Sequence, residues 1–183
     1  VLHSPAYREK FREFLKSDFP RIPYPREAAE FALYRDAGRA LREAHLMLDP
    51  PPPLSEPTAR FPVRGDNVVD RVEMVFDERR GTLDERGDAR LGTEVSSRVS
   101  RLTSSLVRVY INPTQYFDNV PLAAWEQAIG GYQPAQKWLK DRKGRALASD
   151  DLKHYQRIIL ALAKTREIMD SLSSAARRRF PKW

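Results

Sequence analysis

Apolar residues along this chain recur at two periods, and the switch between them divides it into helical ends and a strand-bearing middle. Near the start, Tyr7, Phe11, Phe14 and Leu15 stand three or four apart or side by side, which lines one face of a helix. Ser4 is a favourable N-cap, and Pro5 suits the first turn, where no intrahelical N–H is needed. The run Asp18–Pro25 holds three prolines, and proline cannot continue helical hydrogen bonding. A second helix is predicted from Arg26 to Leu48. Its stripe is Phe31, Tyr34, Leu41, His45 and Leu48, with a gap at Gly38. The polyproline run Pro50–Pro53 stops it and opens an extended connector towards Gly65.

The period then shortens. Val68 to Phe76 alternates in part through Val69, Val72, Met74 and Phe76, and Leu106 to Ile111 sets Val107, Val109 and Ile111 on one side. Both read as strands. Glu78–Gly81 reads as a hairpin turn and Thr82–Glu85 as a short return strand, while Arg86–Ser105 carries no clear period. Helical spacing returns at Pro121–Ala128, closed by Gly130 and Gly131, and again at Pro134–Asp141. Ser149 caps a long last helix, with Asp150 and Asp151 set favourably against its N-terminal dipole. Along it Leu152, Tyr155, Ile159, Leu162, Met169 and Leu172 keep the three-four rhythm, and Arg177–Arg179 closes it. The expected fold is α+β, helix-rich, with a small, mostly antiparallel central sheet and a long C-terminal helix.

Composition narrows the function. A chain of 183 residues, 41% hydrophobic, builds one domain or one domain with a helical extension. The net charge of +7 and a pI near 9.8 favour polyanionic partners. With no cysteine there is no disulfide framework, thiolate metal site or cysteine nucleophile, which suits a reducing cytoplasm. No apolar run reaches the roughly 18–20 residues that span a bilayer. The opening Val1–Pro5 lacks the features of a signal peptide and reads as a cut within a longer polypeptide.

Catalytic chemistry is sparse. His3, His45 and His154 are not spaced as metal ligands. His45 lies on the stripe of the second helix and reads as a core or boundary residue. Asp150 and Asp151 are explained by charge compensation at a helix start. No phosphate loop and no Gly-x-Ser-x-Gly elbow occurs. The chain does not read as an enzyme, and it calls for no metal and no cofactor.

The informative stretch runs from Tyr110 to Arg145. Asn112-Pro113-Thr114-Gln115-Tyr116-Phe117 follows a predicted strand with two amides, a hydroxyl and two aromatics. Lys137-Trp138-Leu139-Lys140-Asp141-Arg142-Lys143-Gly144-Arg145 then places five basic residues in nine positions. Amides read adenine through paired hydrogen bonds, whereas Arg and Lys read guanine or grip phosphate. Trp125, Ile129 and Trp138 read as core.

The run "IGGYQPAQKWLKDRKGRALASDDLKHYQRIILALAKT" (129–165) resembles the C-terminal specificity domain of type ISP restriction–modification enzymes. The opening "VLHSPAYREKFREFLKSDFPRIPYP" (1–25), "YINPTQYF" (110–117) and "VPLAAWEQAIGGYQ" (120–133) resemble it in the same order. Pro134 departs from the valine often found there, and residues 50–105 match least. The resemblance implies a module that recognises a short asymmetric site in double-stranded DNA. It also implies a neighbouring methyltransferase domain in the same polypeptide, with all catalysis upstream. Residues 1–49 would be the helical segment following that methyltransferase, 50–67 a Pro-rich connector and 68–183 the target-recognition domain. Lys137, Lys140, Arg142, Lys143 and Arg145 are expected on phosphates. Asn112, Gln115, Tyr116 and Gln133, with Arg98 and Arg101, are expected on base edges. A scaffold packing on the methyltransferase without touching bases is the alternative, and single-stranded RNA a more distant one.

Overall fold

In a computed structural model of the chain, the described residues are 2, 5–22, 24–48, 58–76, 106–129 and 131–179, with side chains 5, 6 and 173–179 left aside. Ser4, the Pro50–Pro53 run, the Glu78–Gly81 turn, the Thr82–Glu85 strand and the Arg86–Ser105 stretch lie outside them, as do the Arg177–Arg179 side chains. Six helices and three strands occur among the described residues: α1 (Pro5–Lys10), α2 (Phe14–Ser17), α3 (Ala28–His45), β1 (Glu73–Phe76), β2 (Leu106–Tyr110), β3 (Tyr116–Pro121), α4 (Leu122–Glu126), α5 (Pro134–Lys140) and α6 (Ser149–Arg179). The class is α+β, and no described helix is long and apolar enough to cross a membrane.

The chain forms two compact units. One comprises Val1–Asp49 with Lys164–Trp183, the other Pro50–Ala163. In the first unit the expected opening helix is interrupted at residues 11–13, which divides it into α1 and α2. Tyr7 is buried, packs against the tilted Phe11 ring at 4.8 Å between ring centroids and donates from its hydroxyl to the Arg21 carbonyl at 2.7 Å. The second stripe is narrower than its large residues suggest. Leu41, Ile168 and Leu172 form the cluster, with Tyr34, Ala37 and Ala40 against it. Phe31 and Leu48 stay exposed. Alanines, small and good helix formers, let the helices approach where bulkier residues would not. His45 sits at the boundary, its Nε2 3.0 Å from the Thr165 hydroxyl.

In the second unit the sheet runs β1-β2-β3, antiparallel throughout. Alternation works as expected on β2, where Val107 and Val109 are buried and Leu106, Arg108 and Tyr110 are only partly so. The expected strand Val68–Phe76 is regular only over residues 73–76. Val68 instead makes a lone bridge to Ala146. The third strand was not expected, because an Asp-Asn pair at positions 118 and 119 disfavours a strand. A register shift between Val107 and Val109 absorbs it. Asn119 takes a φ of 56°, which asparagine tolerates better than most residues and which suits a bulge.

The inner face of the sheet carries the core. Phe117 lies 4.9 Å from Phe61 and 4.4 Å from Tyr155 of α6, and Tyr155 in turn lies 5.3 Å from Trp138 of α5. Ala135, Leu139, Leu152 and Ile159 complete the layer, and Trp125 is buried in α4. Burial also pushes the Tyr155 hydroxyl pKa upward. Helix α6 starts at Ser149 itself, and the Asp151 carboxylate accepts from the Ala148 N–H at 3.1 Å, satisfying a donor at the helix start.

Candidate nucleic-acid interface

Two turns and one sheet face of the second unit carry the polar chemistry. The first turn joins β2 to β3. Asn112 and Gln115 were expected at base edges, but their exposures are 5% and 1%. Asn112 donates to the Val68 carbonyl at 3.1 Å and to Gln115 Oε1 at 2.9 Å. Its own Oδ1 accepts from the N–H groups of Thr114 and Gln115 at 3.1 and 2.7 Å. Gln115 Oε1 also accepts from the Asn67 N–H at 2.8 Å, while Nε2 donates to the Val63 carbonyl at 3.1 Å and to Asn67 Oδ1 at 2.7 Å. Asn67 reaches on to the Leu147 carbonyl at 3.2 Å. An amide offers two donors and two acceptor lone pairs, and here each end has partners. Turning either side chain outward would strand buried groups at about 1–3 kcal/mol apiece. The two amides therefore bind segments of the protein together and are not on the surface.

Two residues missed by sequence reasoning make this knot possible. Asn67 adopts a φ of 58°. A Cβ on Gly65 would come within 2.6 Å of Gln115 Cδ, so only glycine leaves room for the glutamine. A lone Gly in a connector gives little warning of either.

The second turn follows α5. Its backbone is tied to residues 67–69: the Gly144 N–H donates to the Val69 carbonyl at 2.7 Å, the Val69 N–H to the Arg145 carbonyl at 3.0 Å, and the Leu147 N–H to the Asn67 carbonyl at 2.9 Å. Gly144, with a φ of 79°, takes the left-handed conformation of the turn. The five expected cations divide. Arg142 points inward: its guanidinium lies 3.6 Å from the Trp138 ring centroid, Nη1 donates to the Trp138 carbonyl at 3.1 Å, and Nε faces Asp151 at 3.6 Å. Lys137 pairs with Asp141 at 2.8 Å on the surface. Lys140 reaches only the neutral Gln136 amide, at 3.3 Å. Lys143 and Arg145 are exposed and make no ion pair with the described residues. The outcome is an ordered turn with three cations in solvent that no acid among the described residues neutralises.

Of the remaining expected residues, Gln133, Arg98, Arg101 and Tyr116, the two described ones, Gln133 and Tyr116, lie at different elements, and His154 is not in that set. Gln133 is half-buried at the N-cap of α5, its Nε2 3.5 Å from the Glu126 carbonyl. Arg98 and Arg101 lie outside the described residues. His154 is exposed beside Trp138, 5.8 Å between ring centroids. Tyr116 is on the outer face of the sheet, 4.9 Å from Tyr110.

That outer face holds residues sequence reasoning did not single out. Asp118, with its side chain only 8% exposed, accepts from Arg108 Nε at 3.2 Å and faces Arg60 Nη2 at 3.6 Å. Arg108 also lies over the Tyr116 ring at 5.2 Å. Arg60 bridges to Asp118 through its backbone, as a further edge beside β3. Alternation with Val107 and Val109 could have marked Arg108 and Tyr110 as outward-facing. The pairing of Arg60 with Asp118 could not be read from sequence, since the two stand far apart in the chain and the bulge aligns them.

A family model described as "Type ISP C-terminal specificity domain" matches residues 1–171 of the chain. No curated protein and no solved structure matches it.

Proposed function

This chain belongs to the family of type ISP C-terminal specificity domains, and from that premise we propose that it recognises a short sequence in double-stranded DNA without catalysing a reaction itself. In this reading it sets an adjoining methyltransferase and nuclease of the same polypeptide on their target, in the cytoplasm, and needs no cofactor. The observation that carries the reading is the ordered turn after α5. Lys140 at the end of α5 and Lys143 and Arg145 in the turn stand in solvent without an acidic partner among the described residues, and the backbone of the turn is tied to residues 67–69 at Gly144, Arg145 and Leu147. Cations left open on a fixed turn suit phosphates, because each phosphate neutralised releases condensed counterions.

The test is a titration of labelled duplex at several salt concentrations. The logarithm of the binding constant should fall linearly with the logarithm of salt. Exchange of Lys140, Lys143 and Arg145 for glutamine should flatten that line by about 0.9 for each phosphate no longer gripped. Unchanged affinity and slope would sink the reading. Competition with structured RNA separates duplex DNA from the RNA alternative.

A scaffold role has one observation in its favour. Arg142 is spent on Trp138 and Asp151 and serves the domain's own packing. It is therefore withdrawn from the phosphate-gripping set, and Lys137, paired to Asp141, is the weakest remaining member.

A further inference from the structure

Asn112 and Gln115 are buried and leave the reading of bases to other residues. We propose that the outer face of the sheet supplies them, with Arg60 and Arg108 reading guanine edges in the major groove. This rests on the DNA-recognition reading above and adds to it where the sequence is read.

The chemistry of the face favours bases over phosphates. Arg60, Arg108 and Asp118 together carry a net charge of one, and the neighbouring Arg71 is paired to Glu73 at 2.9 Å. So weak a field attracts a phosphate backbone less than the bare cations of the α5 turn do. What the cluster offers is order. Asp118 is nearly buried and holds Arg108 through Nε at 3.2 Å and Arg60 through Nη2 at 3.6 Å, and Tyr116 lies beneath Arg108 at 5.2 Å. A guanidinium already fixed loses less freedom on binding. Its planar fork matches guanine O6 and N7, both acceptors on one edge of the base pair. Both side chains remain in reach of solvent, Arg60 at 45% and Arg108 at 34% exposure.

The dimensions also fit. Arg108 on β2, Asp118 on β3 and Arg60 on the edge beside β3 span two strand spacings of about 4.8 Å, roughly 10 Å, against a major groove about 12 Å wide. The face and the basic turn are linked at one end of the sheet. Tyr110 precedes Ile111, whose carbonyl accepts from the Asp70 N–H at 2.8 Å, and the adjoining Val69 N–H donates to the Arg145 carbonyl. A duplex held by its phosphates at Lys143 and Arg145 would meet the Tyr110–Tyr116 end of the sheet.

The experiment is selection from a randomised duplex pool by the full 183-residue chain, beside Arg60→Lys and Arg108→Lys. Lysine keeps the charge and discards the fork. The wild type should enrich a motif containing guanine. Each variant should lose preference at a single guanine, by about ten- to a hundredfold, through weaker binding of duplexes that carry it, with affinity for duplexes lacking that guanine and the salt slope as in the wild type. An unchanged motif in both variants overturns the assignment, and so does a uniform loss over all sequences, which means phosphate gripping. If neither variant alters the motif while the Lys140, Lys143 and Arg145 exchange still weakens binding, the sheet assignment fails and DNA recognition stands. If the wild type neither binds nor selects, both fall together. Arg60→Lys keeps the result readable should Arg108→Lys fold poorly, because Arg60 is the more exposed of the two.

Discussion

The turn joining β2 to β3 and the turn following α5 are both tied to residues 67–69, yet they spend their polar groups in opposite directions. At the first, Asn112 and Gln115 place their amide donors and acceptors against protein partners. At the second, backbone groups make the ties and the side chains of Lys140, Lys143 and Arg145 are left to solvent. An uncharged amide next to a strand satisfies its neighbours' backbone without desolvating a charge. A long cation does so only by surrendering several rotatable bonds and much hydration. The first turn is thus built for stability, the second attracts phosphates in the proposed reading, and substitutions should separate the two.

The largest effect should come from Gln115→Ala. It removes the four hydrogen bonds of a buried side chain and should cost about 3–5 kcal/mol in chemical denaturation. A loss below about 1 kcal/mol would mean that the amide is dispensable to the fold and free to face a ligand. Gly65→Ala should follow, at about 2 kcal/mol, because the new Cβ meets Gln115 Cδ at 2.6 Å. Its cost should shrink in a Gln115→Ala background, and independent, additive costs would break the link between the two positions.

Arg142→Ala should be smaller, about 1–2 kcal/mol, because Trp138 loses the guanidinium over its ring and Asp151 loses its cationic neighbour while keeping the Ala148 N–H. Its salt dependence of DNA binding should match the wild type, and a flattened slope would return Arg142 to the phosphate set. The smallest effect on stability belongs to the Lys143→Ala, Arg145→Ala pair, whose melting temperature should stay at the wild-type value while the salt slope drops. A lowered melting temperature with an unaltered slope would reverse the roles assigned to the two turns.

Much of the fold was legible along the chain. The 3.6-residue rhythm of α6, the Pro134 start of α5 and the alternation of Val107 and Val109 each state a local preference that packing reinforced. β3 was hidden because Asp118 and Asn119 interrupt its pattern, and a bulge with Asn119 at a φ of 56° is visible only against the partner strand. The site was legible in part. The basic run before α6 announced itself by charge density, but nothing in it distinguished Arg142, stacked on Trp138, from Arg145, exposed to solvent.

What the order of residues determined by itself was the periodicity, the net positive charge and the family signature, all properties of near neighbours and of sums. What the tertiary structure alone decided was which polar groups face water. That depends on whether a partner tens of positions away, such as Val63 for Gln115 or Arg60 for Asp118, is brought within about 3–4 Å to offset the loss of hydration. An amide or a guanidinium has the same formula in either setting, and its burial is settled by what the fold brings beside it.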